Sequence, residues 1–446
     1  MTREHSEPSI DDLKARVANV LDLARGHGAS HAEASASFGT GLAVTVRMRS
    51  VETLEFHRDQ GLGITVYFGG RKGSASTSDL GAGAIEESVR KACTLARYAA
   101  EDPHAGLADA DRLARTVPDL DLWHPWTLGA EQAIELATGC ETAALDSDPR
   151  LTNSEGASLA SHAGLRVYGN SHGFLEGYRD THHSLSCAVI ASQGEQMERD
   201  MDYTRARDAV ELRSGEAVGR EAARRAVARL GAVKLDTRVA PVLFPARLAR
   251  GLIGHLVGAI SGGALYRRSS FLLDSLGTAV LADCVTIDER PHIPKGLASA
   301  PFDDEGVATV DRRLVDAGVL QGYVLGSYSA RRLGMASTGN AGGIHNLVVA
   351  DTGQGAADML AALDTGLLVT ELMGSGVNPV TGDYSRGAAG FWVERGEIRY
   401  PVSEITIAGN LRDMYRGILA VGNDVELAGS IRTGSILLRG MTIAGA

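Results

Sequence analysis

The chain has 446 residues, 44% of them apolar and 22% charged, and carries a net charge of −11 at pH 7. That length exceeds one ordinary hydrophobic core, so two or three domains are expected, with the composition of a soluble globular protein. The acidic balance argues against nucleic acid as a partner, since phosphate contacts need clustered Lys and Arg, and no apolar run approaches the roughly 18 residues that span a membrane.

A first helix is predicted to begin near Ser9, with Asp12 three residues on as a weaker form of the capping box. Leu13, Val17, Val20, Leu21 and Ala24 form its buried stripe, and Gly26 and Gly28 end it. Period-two runs over Ala32 to Phe38, Leu42 to Met48 and Leu62 to Phe68, separated by Gly-rich turns, read as half-buried antiparallel strands. A helix from about Asp79 to Ala100 places Ile85, Val89, Ala92, Ala96 and Ala99 on one face, suited to cover that sheet. Asp102 to Trp126 is aperiodic and holds Pro103, Pro118 and Pro125, so it reads as a long connection. A helix from Leu128 to Leu145, short strands including GLRVYGN, GFLEGYR and HSLSCAVIAS, and a long helix from Asp208 to Leu230 complete this half. The predicted class is α+β: an N-terminal domain, residues 1–235, built as a curved antiparallel sheet with helices on one face.

From residue 236 to 446 a β-rich C-terminal domain is predicted. VAPVLFPA is a strand feeding the helix of RGLIGHLVGAIS, where Leu248, Leu252, His255 and Ala259 fall on one stripe and turn His255 toward a packed surface or cleft. An acidic loop, FDDEG, precedes a hairpin turning at Asp316-Ala317-Gly318. AADMLAALD is a short helix leading to the strand LLVTEL, AGFWVERGEIRYPV is a hairpin turning at Arg395-Gly396, Asn410 caps a helix, and SILLRGMTI is the last strand.

Cys93, Cys140, Cys187 and Cys284 are widely spaced with no CxxC, which points to reduced thiols in a cytosol rather than to disulfides or structural zinc. The first residues hold no apolar core of signal-peptide length, so a cytoplasmic protein is expected. No HExxH, HExxxH or HxH is present. His182 and His183 are adjacent and on a strand point to opposite faces, while His255, His292 and His345 form a site only if the fold gathers them. Ser385 lacks the first glycine of a nucleophile elbow, Asp383 standing in its place. The Gly-rich stretch MGSGVNPVTGDYSRGAAG reads as a loop and packs Asn378, Asp383, Tyr384, Ser385 and Arg386 between glycines. Close backbone approach beside charged groups and a ring suits an extended peptide, so these five residues are candidate substrate contacts.

With LIGHLVGAISGGALYRRSSFLLDSLG, with GLLVTELMGSGVNPVTGDYSRGAAGFWVERGEIRYPVSEITIAGNL, and with the closing VGND through MTIAGA, the sequence resembles the TldD/PmbA family. Within it, the PmbA branch, also called TldE, is the nearer match. The resemblance implies zinc-dependent proteolysis by a TldD subunit paired with a TldE subunit, where TldD-type members carry HExxxH on a helix and a ligating Cys near the C-terminus. Registered through Tyr266-Arg267-Arg268, the first His falls at Gly254, the Glu at His255 and the second His at Ala259, and the last cysteine is Cys284. Gly and Ala offer no side-chain ligand, so no metal and no catalytic residue is assigned to this chain, and zinc is expected in the partner. The resemblance thus implies a non-catalytic subunit of a cytosolic metallopeptidase that pairs with a TldD-like chain, or forms a homodimer in its absence. Its substrates would be peptides or small unfolded proteins, as in peptide-antibiotic maturation and antitoxin degradation, and His255 joins the candidate substrate contacts. The alternatives are an autonomous hydrolase using His255 or Asp383, and a regulator of DNA gyrase.

Overall fold

A computed structural model describes residues 7–445. Helix α1 (Ile10–Gly26) is capped as expected: Ser9 Oγ accepts from the Asp12 amide at 3.1 Å and Asp12 Oδ2 accepts from the Ser9 amide at 2.8 Å. Its five predicted stripe residues are all buried.

Three strands follow, β1 (His31–Arg47), β2 (Ser50–Phe68) and β3 (Arg71–Thr77), then α2 (Ala82–Tyr98) and α3 (Ala130–Leu145). Strands β4 (Leu151–Asn170), β5 (Leu175–Gln193) and β6 (Gln196–Ala206) precede α4 (Gly215–Ala228). The six strands form one antiparallel sheet in the order β3-β2-β1-β4-β5-β6. Ala32, Ala34, Ala36 and Phe38 of β1 pack under α1 and α2, while Leu42, Val44 and Val46 pack with α3 and α4. All seven positions are even, so the four helices cover one face of the sheet and leave the other bare.

Several boundaries differ from expectation. The glycines of FGTGL make no turn, because β1 runs straight through them. Its partner β2 begins at Ser50, where exposed side chains leave no apolar alternation to read. GFLEGYR and HSLSCAVIAS merge into the single strand β5. The helix expected from Asp208 starts at Gly215, with Ser214 Oγ accepting from the Ala217 amide at 3.2 Å. The preceding residues hold only a single 3-10 turn, which Asp208 caps through the Val210 amide.

The C-terminal half begins with β7 (Arg238–Phe244), α5 (Ala246–Ala259) and α6 (Gly262–Tyr266). Next come β8 (Ile287–Glu289), β9 (Arg312–Asp316), β10 (Val319–Leu320), α7 (Ser327–Arg332), β11 (Leu347–Val349) and α8 (Ala356–Leu363). The chain ends with β12 (Gly366–Met373), β13 (Asp383–Glu394), β14 (Glu397–Asn410), α9 (Leu411–Arg416), β15 (Ile418–Val421), β16 (Ile431–Arg432) and β17 (Ile436–Ala444). Strands β7, β12, β13, β14 and β17 close on themselves, since β14 also pairs with β17, and β15 extends the ring. A second sheet runs β10-β9-β8-β11-β16. Both predicted hairpin turns hold, with positive φ at Ala317 and Gly318 and at Arg395 and Gly396, as a two-residue turn between twisted strands requires.

The two halves are clasped by polar contacts, those of Arg207 buried and the rest partly exposed. Arg207, after β6, donates to Gly296 O and Leu297 O at 3.0 Å each and to Asp180 Oδ2 at 2.9 Å. Lys295 reaches back to Asp208 at 2.9 Å and Glu211 at 3.0 Å, and Arg229 pairs with Glu371.

Candidate functional site

Helix α5 buries Ala246, Ala249, Leu252, Ile253, Leu256 and Ala259 against the strand ring. It stops at Ile260, and Gly262 opens the next short helix because any Cβ there would strike Ser329. His255 emerges half-buried from this helix, its ring centre 6.0 Å from that of Tyr384 with the planes at 79°. Burial and the nearby Arg386 guanidinium push the imidazole below its ordinary pKa, so it is neutral at pH 7.

The GDYSRG stretch, expected as a loop, is strand from Asp383 onward; only the residues before it form the loop. Strand alternation therefore divides the candidates. Tyr384 and Arg386 face the side of α5, whereas Asp383 and Ser385 point away and are exposed. Tyr384 is fully buried, and burial pushes its phenol up to about 12 against the pull of Arg386. Among the described residues neither the Tyr384 hydroxyl nor the Arg386 Nε meets a well-aligned hydrogen-bond partner, although the guanidinium lies close enough to draw the phenol down. Arg386 Nη2 makes one long contact to Leu372 O at 3.4 Å. Buried polar groups without partners are uncommon and costly, so Tyr384 and Arg386 hold donors that an incoming group would satisfy.

The other candidates tie the loop together. Asn378 Oδ1 accepts from the Val380 amide at 2.9 Å, and the Ser385 amide donates to Gly376 O at 2.7 Å. Asp383 accepts from Thr381 Oγ1 at 2.6 Å and Asn410 Nδ2 at 3.1 Å, contacts that hold its carboxyl below the usual range. His345 is bonded to Glu289 at 3.2 Å and His292 to Thr309 at 2.9 Å, each held by its own partner away from His255. His183 is buried while His182 lies on the opposite face, as their adjacency predicts.

The donor set on α5 does not fit zinc. An added Cβ at Gly254 would meet nothing within 4 Å, and Ala259 is buried as a bare methyl. His255 alone is one ligand, and among the described residues no three His, Cys, Asp or Glu side chains are grouped to hold an ion.

Sequence reasoning missed the bare face of the N-terminal sheet. A cleft of about 880 Å³ lies there between Ser35, Ser37, Gly61, Gly63, Arg166 and Tyr178 on the sheet and Phe302, Asp303 and Asp304 from the C-terminal half. Beyond its end, His57, Gly41, His162 and His182 stand in one register row across four strands, with His57 Nε2 3.5 Å from His162 Nδ1. The signal was present as the small and polar residues alternating with the apolar ones, which amphipathicity alone reads as solvent-facing.

Three family models cover most of the chain: the PmbA/TldA metallopeptidase domain 1 over residues 32–96, central domain over 123–230 and C-terminal domain over 237–445. A protein of Escherichia coli O157:H7 named Metalloprotease PmbA is 54% identical over 433 residues, covering 97% of this chain and 96% of its own. A crystal structure from Bacteroides thetaiotaomicron, named for a proposed role as a modulator of DNA gyrase, superposes with a TM-score of 0.93 at 28% identity, covering 98% of this chain and all of that one at 100%. TldE from Thermococcus kodakarensis superposes with a TM-score of 0.86 at 21% identity over 96% of this chain and 100% of its own, a likeness of fold.

Proposed function

The chain belongs to the PmbA/TldD metallopeptidase family, in its PmbA/TldE branch, and on that premise we propose that it is the subunit without zinc of a two-chain metallopeptidase. One observation supports this reading: α5, which the family resemblance registers on the TldD-type zinc helix, carries Gly254, His255 and Ala259 where that register puts the two ligands and the catalytic Glu. A TldD-like partner would hold the zinc, and with it the Lewis-acid and water-activating chemistry of the reaction. This chain contributes substrate contacts in the cytoplasm, on peptides or small unfolded proteins. His255, neutral and edge-on to Tyr384, offers a ring nitrogen; Arg386 offers a guanidinium donor to a main-chain carbonyl or a carboxylate.

The test is metal analysis and peptidase assay of this chain alone, of a TldD-like chain alone, and of the two mixed. The expected result is zinc and cleavage only where the TldD-like chain is present, with faster cleavage in the mixture. Chelator-sensitive peptidase activity from the homogeneous chain would instead establish an autonomous enzyme. A binder of DNA gyrase, the role for which the Bacteroides relative is named, is the second reading, and gyrase retention without any TldD-like partner would favour it.

A further inference from the structure

Glycine in a strand sacrifices packing and marks places where another backbone or a ligand comes close. On the bare face of the N-terminal sheet the glycines fall into two groups. Gly39, Gly41 and Gly164 are roofed by imidazoles: a Cβ at Gly39 would lie 2.7 Å from His162 Cε1, one at Gly41 would strike His57, and one at Gly164 would lie 3.0 Å from His162 Nε2. Gly61 and Gly63 are not roofed. A Cβ at Gly61 would meet only Ser37 Oγ at 3.7 Å, and one at Gly63 only Ser35 Oγ at 3.3 Å. Ser37 pairs with Gly61 and Ser35 with Gly63, and Ser76 of β3 pairs with Gly63 on the other side. The floor of the cleft is therefore hydroxyls and bare backbone at strand spacing.

The walls carry charge. Arg166 is 55% exposed, lies over Tyr178 at 5.6 Å and sits 3.9 Å from Asp304, too far for a tight ion pair. Its guanidinium is thus charged, oriented by the ring and still able to take a carboxylate. Phe302, Asp303 and Asp304 close the cleft from the C-terminal half; the Asp303 carboxylate is taken up by the amides of Glu305, Val307 and Ala341, and that of Asp304 is the acidic group facing Arg166.

We propose that this glycine–serine track binds an extended peptide segment, its main chain on the floor of Gly61, Gly63, Ser35 and Ser37 and a carboxylate of the segment on Arg166. The assignment rests on the peptidase-subunit reading for its choice of ligand, and adds where this chain grips it. The roofed glycines and the His57–His162 pair end the track, so the segment runs from the β3 edge toward the imidazoles and stops there.

Gly61→Val tests it directly. The added side chain has open space around its Cβ, valine favours strands, and its methyls fill the floor. In the assembled pair, binding of a fluorescein-labelled, unstructured Glu-containing peptide should weaken about tenfold, ~1.4 kcal/mol. Melting temperature and pairing should be unchanged, and Gly61→Ala should give a smaller loss. Arg166→Gln should weaken the Glu peptide and spare its Gln counterpart. Equal binding by wild type and folded, paired Gly61→Val overturns the groove, as does competition by a maltooligosaccharide in place of peptide. Failure of the wild-type pair to bind any peptide defeats the subunit reading on which the groove depends.

Discussion

His255, Tyr384 and Arg386 show what a side chain does when its surroundings withhold a partner. Among the described residues the phenol and the guanidinium Nε are buried without well-aligned hydrogen bonds, and the imidazole is kept neutral. Arg386 makes a single long hydrogen bond, the 3.4 Å reach to Leu372 O, and otherwise acts on His255 and Tyr384 through its charge. Arg386→Ala should therefore leave the unfolding free energy within about 1 kcal/mol of wild type and leave pairing intact. It should raise KM for peptide cleavage by the assembled pair roughly tenfold or less, as loss of one charge-assisted hydrogen bond implies. Unfolding or loss of pairing would make the residue structural. Asp383 and Asn378 are different in kind: their oxygens are already occupied by the loop, and their replacement should cost stability first.

Among the elements, β1 is crowded at Gly39 and Gly41. These glycines, expected as a turn, instead leave room on a continuous strand for the imidazoles of His162 and His57. Gly39→Ala puts a methyl against His162 and should destabilise by about 1–3 kcal/mol, the usual cost of overpacking. The same change in a His162→Ala background should cost far less, because the atoms it meets first are gone. A denaturant-unfolding double-mutant cycle measures this coupling, and additive costs would mean that the strand rejects the methyl for a backbone reason instead. The opposite outcome is expected of Gly61 on the neighbouring strand, where the site is open.

For the whole molecule, Arg207 reaches across to Gly296 and Leu297 of the C-terminal half while its guanidinium is held on its own side by the Asp180 carboxylate. Burial pushes the Asp180 carboxyl up, but His182 and Arg207 more than reverse this and bring it to about 2, against an ordinary value of 3.8. A depressed carboxylate contributes stability above its unfolded pKa and loses it as pH falls through the folded one. The contribution, about 2 kcal/mol, should be complete at pH 5 and fade between pH 4 and pH 2. Asp180→Asn should accordingly be destabilised relative to wild type at pH 6, with the gap closing toward pH 2 in urea titrations. A gap independent of pH would show that the clasp does not rest on this charge.

Much of this protein was legible in its sequence because the signals are local. Ser9 and Asp12 cap α1 within one turn, Leu42-Val44-Val46 alternate because every second side chain meets a helix, and Ala317-Gly318 and Arg395-Gly396 turn because their own backbones can. The family was likewise readable, and neither Gly254 nor Ala259 carries a donor atom in any fold. Three things were decided by tertiary contact alone. The Gly39–Gly41 stretch became strand because its Cβ space belongs to histidines from two neighbouring strands, distant in sequence. Asp383 to Arg386 became strand because β14 lies beside them, which put Tyr384 and Arg386 on one side and Asp383 and Ser385 on the other. The cleft over Gly61 and Gly63 exists only because residues 302–304 close on the bare sheet face, a contact between halves that no periodicity encodes.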